Sequence, residues 1–230
     1  MGRQRPAAEQ RRRRDPLEGV ERRRRRRGAR PVTTAGLLLA AGAGRRLGGP
    51  KALVELGGRT LVERGVTLLR DGGCTSVVVV LGAQAERVPP LADAQVVVAA
   101  DWENGLGASL RAGLVALSAG SASACVVALV DQPLVGVEAV RRLLAVSGRC
   151  EAAVATYAGE PRNPVLLDRA VWIDVAGLAV GDVGARAWLR AHPDRVLRVD
   201  CDDTGSAADV DTAEDLVELN RRAAGTDRPT

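Results

Sequence analysis

The chain has 230 residues, 46% of them apolar, which is enough for one α/β domain with a sizeable core. Aromatics are scarce (three Trp, one Tyr, no Phe), so the core must be built of Val, Leu and Ala. The net charge of +5 is uneven: residues 1–31 hold thirteen Arg against Glu9, Asp15, Glu18 and Glu21, a local +9, and leave the remainder at −4.

The Arg-rich stretch, 1–32, has no apolar periodicity. It cannot bury enough surface to offset its ordering entropy and is expected to be disordered. It reads as a dispensable extension or as upstream sequence ahead of the true start. A like-charged block can also bind RNA or an anionic surface, but no specific nucleic acid is expected. It lacks the apolar core of a secretory signal, and no run of about 18 apolar residues exists to span a membrane.

From residue 33 short β-rich runs alternate with helical patterns. "TTAGLLLA" (33–40) reads as a buried strand, "TLVERGVTLLRDGG" (60–73) as a helix, and "TSVVVVLG" (75–82) and "AQVVVAA" (94–100) as further buried strands. "GASLRAGLVALSAG" (107–120) is helical, "SACVVALVDQP" (123–133) is a strand ending in an acid, and "GVEAVRRLLAVSG" (136–148) is helical. "CEAAVATYAG" (150–159) and "NPVLLD" (163–168) read as strands, and "GARAWLRAH" (184–192) and "TAEDLVELNRRAAG" (212–225) as helices. Continuous Val/Leu runs imply strands covered on both faces, hence a mostly parallel sheet between two helical layers, spanning 33–222, with 223–230 a disordered tail.

In such sheets ligands sit beyond the C-terminal ends of strands. Two ends stand out. After residue 40 comes "AGAGRRLGGPK", where Gly42, Gly44 and Gly48 form a GxGxxxG loop. Neither standard phosphate template fits it. A dinucleotide fold needs an acid after the second strand, and "VVVVLGAQ" has none; a P-loop needs Gly-Lys-Ser/Thr, and here Pro50 precedes Lys51 and Ala52 follows. Lys51 is nonetheless the single Lys among 32 Arg. A compact ammonium beside a glycine loop suits a phosphate oxygen, so loop amides, Arg46 and Lys51 are candidates for holding a polyphosphate.

The second end carries Asp131, followed by Pro133. Chemistry on a polyphosphate needs a divalent metal held by carboxylates, and Asp131 is the first candidate ligand. Asp209 and Asp211 of "AADVDTAEDL" are the others, although acids before a helix also complement its dipole. Thr212 is a candidate N-cap with Asp215 three residues on. His192 is the only His and reads as a surface residue at a helix end, which argues against Ser-His-Asp or His-metal chemistry. Cys74, Cys125, Cys150 and Cys201 form no CxxC pair and read as reduced thiols of a cytoplasmic protein.

Together these segments resemble the MobA-like NTP transferases. "LLLAAGAGRRLGGPKALVELGGRTLVERGV" is similar to that family's N-terminal signature, "VALVDQPLV" to its metal-binding strand, and "ADVDTAEDL" to its closing motif. "DWENGLGASLRAGL" and "GDVGARAWL" resemble the molybdenum cofactor cytidylyltransferase branch. The resemblance implies a glycosyltransferase-A-like Rossmannoid domain, three-layered α/β/α, that binds an NTP and Mg²⁺. In the branch, CMP passes from CTP to the terminal phosphate of molybdopterin, pyrophosphate leaves, and the product goes to a molybdenum hydroxylase-type apoenzyme.

Carried over by position, Leu39, Ala40, Ala41, Gly42 and Gly44 would line base and phosphates. Asp101 and Ser109 would contact base or ribose, and Arg46 and Lys51 would neutralise the triphosphate. Asp131 and Asp211, with Asp209 less directly, would hold Mg²⁺. Asp182 and Arg186 would face the pterin. Guanylyl-transferring relatives tend to have Gly where this chain has Ala41, which favours cytosine. Where branch members often read His-Pro-Val, this chain reads Asn163-Pro164-Val165, so Asn163 can bond the acceptor but cannot titrate. Three other readings stay open. One is a same-fold transferase acting on a sugar phosphate or phospho-acid, the second an NAD(P)-dependent oxidoreductase, the third a non-catalytic carrier for a hydroxylase.

Overall fold

The computed structural model describes residues 32–225, so the expected extension at 1–31 and the tail from 226 onward lie outside the described residues. The strands are β1 (Thr34–Ala40), β2 (Glu55–Leu56), β3 (Arg59–Thr60), β4 (Val77–Leu81), β5 (Gln95–Val98), β6 (Ala124–Leu129), β7 (Ala152–Tyr157), β8 (Glu160–Asp168) and β9 (Val196–Asp200). The helices are α1 (Leu61–Asp71), α2 (Leu106–Ser118), α3 (Val137–Ala145), α4 (Trp172–Leu178), α5 (Arg186–Ala191) and α6 (Ala213–Gly225). Helix α6 thus runs three residues past the boundary expected at 222.

Seven strands form one sheet in the order β5-β4-β1-β6-β8-β7-β9, and β2 and β3 form a separate hairpin. The sheet is parallel except for β8, which runs against both β6 and β7. Strand β7 leaves one position vacant beside β6, and the Ala158-Gly159 turn, with positive φ at both residues, sends β8 back into the gap.

The alternation within the apolar runs shows both faces buried. In β1, Leu37 and Leu39 join one core cluster, with Leu110 and Leu114 of α2 and Trp172, Val175 and Trp188 of the α4–α5 layer. Leu38 and Ala40 point the other way, to Val62, Val66 and Leu69 of α1 and Leu143 of α3. This is the expected three-layer α/β/α arrangement, with period-two geometry splitting each continuous run between two cores.

Several features differ from the sequence reading, among them helix α4 and the β2–β3 hairpin, which were not expected. Strand β5 is an edge and not a buried strand: Val96 and Val98 are 43% and 59% exposed. Strand β9 was not anticipated, because "VLRVD" lacks a continuous apolar run; its partner is β7 alone. Strand β8 begins three residues earlier than expected, and its register with β7 jumps from Val165↔Val154 to Arg162↔Ala155, so Asn163 and Pro164 bulge out. His192 is half-buried, its ring stacked 4.5 Å from that of Trp188, with Nδ1 2.9 Å from the Trp188 carbonyl oxygen.

Candidate functional site

The loop after β1 emerges between two parallel neighbours, β4 and β6, at the sheet position where α/β folds bind ligands. Gly44 fixes its path. It has φ +57, and a Cβ there would lie 2.0 Å from the Gly49 carbonyl oxygen. That carbonyl approach and the left-handed backbone both require glycine. The Gly44 carbonyl accepts from Leu47 N at 2.8 Å and Gly49 N at 3.3 Å, closing a 3₁₀ turn over Arg45–Leu47. At Gly42 a Cβ would meet nothing within 4 Å, so the bare backbone faces open space. A second 3₁₀ turn, Lys51–Leu53, then carries the lysine back over the sheet.

The acids reach the same place by a longer route. Residues 131–136 and 205–210 are laced together antiparallel. Val210 N donates to the Asp131 carbonyl at 2.8 Å, and Ser206 N to the Leu134 carbonyl at 3.0 Å. Val135 and Gly205 form a bridge. Gln132, 5% exposed, donates from Nε2 to the Ala207 carbonyl at 3.1 Å and to Asp209 Oδ1 at 2.9 Å. This seam sets Asp211 beside Asp131 although eighty residues separate them. Thr212 then caps α6 as expected: its Oγ1 accepts from Asp215 N at 3.2 Å, and Asp215 Oδ2 accepts from the amides of Asp211 and Thr212.

Lys51 joins loop and seam. Its Nζ donates to Asp131 Oδ2 at 2.8 Å and to Asp211 Oδ1 at 2.6 Å, with the lysine side chain only 16% exposed. Arg46 adds a longer contact to Asp211 Oδ2, 3.3 Å. Burial is the largest influence on Lys51 and pulls its pKa down. The hydrogen bonds and charges of the two carboxylates outweigh it together, and the net shift is upward. The hydrogen bond from Lys51 holds Asp211 below its usual value. Asp209 moves the other way: desolvation raises it, opposed by the Gln132 hydrogen bond, and the charges of Asp131 and Asp211 add to the rise.

Of these groups, Lys51 and Asp131 border a cleft of about 490 Å³, while Arg46, Asp209 and Asp211 are not among its lining residues. Of the residues singled out in the sequence, Leu39, Ala41, Gly42, Gly44, Lys51, Ser109, Asp131 and Asp182 all line it. Asp182 does so because its Oδ1 accepts from Leu106 N at the start of α2, 3.4 Å away. Ala40 lies on the opposite face of β1, in the α1–α3 core. Asp101 pairs with Arg111 at 3.3 Å and, with Asn163 and Arg186, is not among the lining residues. Residues not foreseen line the cleft as well: Arg45, Trp102, Glu103 and Leu106. Trp102 lay within a segment already singled out, and its size was the available signal. Gln132 carried no such signal, because its role depends on a loop 75 residues away.

Asp131 and Asp211 both contact one Nζ, so their oxygens converge on a single cation position. Such all-oxygen donors suit a hard divalent ion. Among the described residues no group of three or more His, Cys, Asp or Glu is gathered as a metal cage, so Asp209 does not complete a triad. Two carboxylates, with phosphate oxygens and water supplying the rest, is the usual donor set for Mg²⁺.

Residues 36–196 match the model of the MobA-like NTP transferase domain. The chain belongs to the MobA-like NTP transferase family. Among curated relatives, it is 43% identical over 195 residues to the nicotine blue oxidoreductase of Paenarthrobacter nicotinovorans, covering 80% of this chain and 95% of that protein. Against the bifunctional protein GlmU of Mycobacterium sp. (strain KMS) it is 35% identical over 133 residues, 54% of this chain but only 27% of that protein. Among solved structures, Rv0371c of Mycobacterium tuberculosis H37Rv superposes with a TM-score of 0.73 at 31% identity, covering 84% of this chain and 100% of that one. A second crystal structure of Rv0371c is a complex with manganese, with a TM-score of 0.67 at 30% identity, covering 83% and 99%. The mostly parallel seven-stranded sheet matches the fold of solved nucleotidyltransferases, among them one from Methanothermobacter thermautotroptrophicus with a TM-score of 0.70 at 20% identity, covering 85% of this chain and 99% of that one. Among the described residues no helix is long and apolar enough to cross a membrane.

Proposed function

We propose that this protein transfers CMP from CTP to the phosphate of molybdopterin, with release of pyrophosphate. The observation that carries the reading is the Lys51 ammonium held between Asp131 and Asp211 at the mouth of a glycine loop. In one place it supplies a cation for a polyphosphate and two carboxylates for a divalent ion. Loop amides other than those of Leu47 and Gly49, which bond to the Gly44 carbonyl, would bind the phosphates, and Lys51 and Arg46 would neutralise charge that builds on the departing pyrophosphate. Asp131 and Asp211 would hold Mg²⁺, which when bound polarises the phosphoryl oxygens. Ala41 would narrow the space beside the base, and Ser109 and Trp102, which line the same cleft, would contact it. Catalysis is then alignment and charge stabilisation, which needs no histidine or thiol. All four cysteines are free, which suits a cytoplasmic setting, and a molybdenum hydroxylase-type apoenzyme would receive the product.

The test is pyrophosphate release with each of the four NTPs, with and without molybdopterin, and the mass of the product. CTP-specific release that requires molybdopterin supports the reading; CTP turnover without that requirement sinks it.

A second reading is favoured by the name of the 43% identical relative, an oxidoreductase acting on nicotine blue. Against it, β4 ends at Leu81 and runs on into Gly82, Ala83 and Gln84, without the acid that holds a dinucleotide ribose. Oxidation of NAD(P)H by the purified protein in the absence of any NTP would establish this reading in place of the first.

A further inference from the structure

A pocket of about 190 Å³ lies between α1 and the end of β6, and Arg59, Arg64, Leu68 and Val135 are among its walls. Leu129 and Val130 line both this pocket and the cleft, so the two spaces adjoin at the end of β6. We propose that the pocket binds a short-chain hydroxycarboxylate, with its carboxylate toward Arg59 and Arg64 and its hydroxyl toward Gln132. Such a ligand is distinct from the nucleotide and the phosphorylated acceptor, and the site stands or falls independently of the transferase reading.

Gln132 sets the need for a donor. It is 5% exposed, and its Nε2 is spent on two acceptors, the Ala207 carbonyl and Asp209 Oδ1. Turning the amide over would set its oxygen against both, so the orientation is fixed. Oε1 is then left buried, without a hydrogen-bond partner among the described residues. Gln132 lines this pocket and not the cleft. A buried acceptor is costly unless a donor reaches it, and a ligand in the pocket can supply one.

The arginines set the charge. Leu61, Arg64, Gly65 and Leu68 follow helical spacing along one face of α1 and all line the pocket. Arg64 therefore sits on a face otherwise used for packing. Its Nη1 donates to the Leu56 carbonyl at 3.4 Å, and its Nε is buried without a partner among the described residues. Arg59 is pinned to the same helix by a bond from Nη2 to Thr67 Oγ1, 2.7 Å. No acidic side chain is among the lining residues. Two guanidinium groups without a carboxylate call for an anion. They also repel an ammonium, so the donor that meets Gln132 is a neutral hydroxyl.

Size and walls set the rest. A cavity of about 150 Å³ holds one benzene ring, so a pocket of about 190 Å³ admits about eight heavy atoms. That is too small for a nucleotide and suits a hydroxy acid of about five carbons. Apart from Arg59, Arg64, Thr67 and Gln132 the walls are apolar, and the carbon chain would lie against Leu68 and Val135. Free phosphate would leave those walls unused.

Calorimetric titration of the full chain, without metal or nucleotide, tests this with four probes: 2-hydroxy-3-methylbutanoate, 3-methylbutanoate, valine and inorganic phosphate. The hydroxy acid is expected to bind one to one. Removing its hydroxyl, or replacing it with the ammonium of valine, should raise Kd at least tenfold, the effect of about one buried hydrogen bond. Phosphate should bind at least tenfold more weakly as well. Arg64→Met should raise the Kd of the hydroxy acid at least tenfold with an unchanged circular dichroism spectrum; if that variant fails to fold, Arg59→Met at the exposed rim takes its place. Lys51→Met alters the cleft and should leave this Kd within about twofold. No binding of the hydroxy acid, or equal affinity for 3-methylbutanoate or phosphate, overturns the proposal. So does binding that is lost with Lys51→Met and kept with Arg64→Met, which would put the anion in the cleft. Pyrophosphate release from CTP is read separately, and its failure would remove the transferase reading and leave the pocket.

Discussion

The glycine loop and the carboxylate seam border the same cleft but are built in opposite ways. The loop is local: Gly42 to Lys51 takes its shape from Gly44, whose left-handed backbone and contact with the Gly49 carbonyl allow no side chain. The seam is assembled from residues 131–136 and 205–210, joined by backbone bonds and one buried glutamine. Local geometry is set by residue type and survives changes elsewhere, whereas the seam depends on partners far away in sequence. The two should therefore fail differently when damaged.

Lys51 belongs to both regions, and its loss should have the largest effect. Lys51→Met removes the cation at the phosphates and leaves Asp131 and Asp211 facing each other without a shared partner. Turnover, measured as pyrophosphate release, should fall by about 10³-fold, while circular dichroism stays that of the parent. An activity within tenfold of the parent would show that Lys51 only pairs the carboxylates.

Gly44→Ala tests the loop alone. The strained backbone should cost about 1–3 kcal/mol, read by chemical denaturation. Displacing the loop by an ångström should lower turnover about 10²-fold.

Gln132→Leu tests the seam alone. It removes two hydrogen bonds and strands the Ala207 carbonyl and the Asp209 carboxylate, at a cost of about 1–3 kcal/mol. With Asp211 less firmly placed, affinity for Mn²⁺ should drop about tenfold, measured by titration calorimetry. Gln132→Glu keeps the size but puts a carboxylate against Asp209, and should do more damage than leucine at neutral pH.

The same contrast explains what could be read from the sequence. Leu37 to Ala40, Val77 to Leu81 and Ala124 to Leu129 announced buried parallel strands because both faces of each are covered. Lys51 and the glycines announced a phosphate-type loop because residue type and spacing carry that signal. The reversal of β8 was hidden, since a strand's direction leaves no mark on its composition. Strand β5 misled because "QVVV" reads as buried while lying at an exposed edge. The pocket lined by Tyr157, Arg162 and Asp202 was hidden as well, because these residues come together only after β7, β8 and the 200–209 loop have packed. Asp131 and Asp211 were legible one by one, but their convergence on one ammonium was not.

The smallest effect separates two neighbouring acids of the seam. Asp211 is held below the ordinary value of 3.8 by the hydrogen bond from Lys51. Its contribution to stability is complete above that value and is lost as pH falls through the lower folded one. Lys51 is raised above 10.5, so its share is complete below 10.5 and disappears as pH rises through the folded value. The Lys51–Asp211 link is therefore intact across the neutral range, and Asp211→Asn should lower the thermal midpoint at pH 7, by an amount that shrinks as pH falls below 3.8. Asp209 is shifted upward by desolvation, and the sign reverses. The fold prefers its protonated form and loses stability as pH rises from 3.8 through the raised value. Asp209→Asn keeps an acceptor for Gln132 and removes the buried charge, so at pH 7 its midpoint should equal or slightly exceed that of the parent. A parallel loss in both variants would mean that Asp209 is tied to Lys51 as Asp211 is, and that the seam presents three equivalent carboxylates instead of two and a spacer.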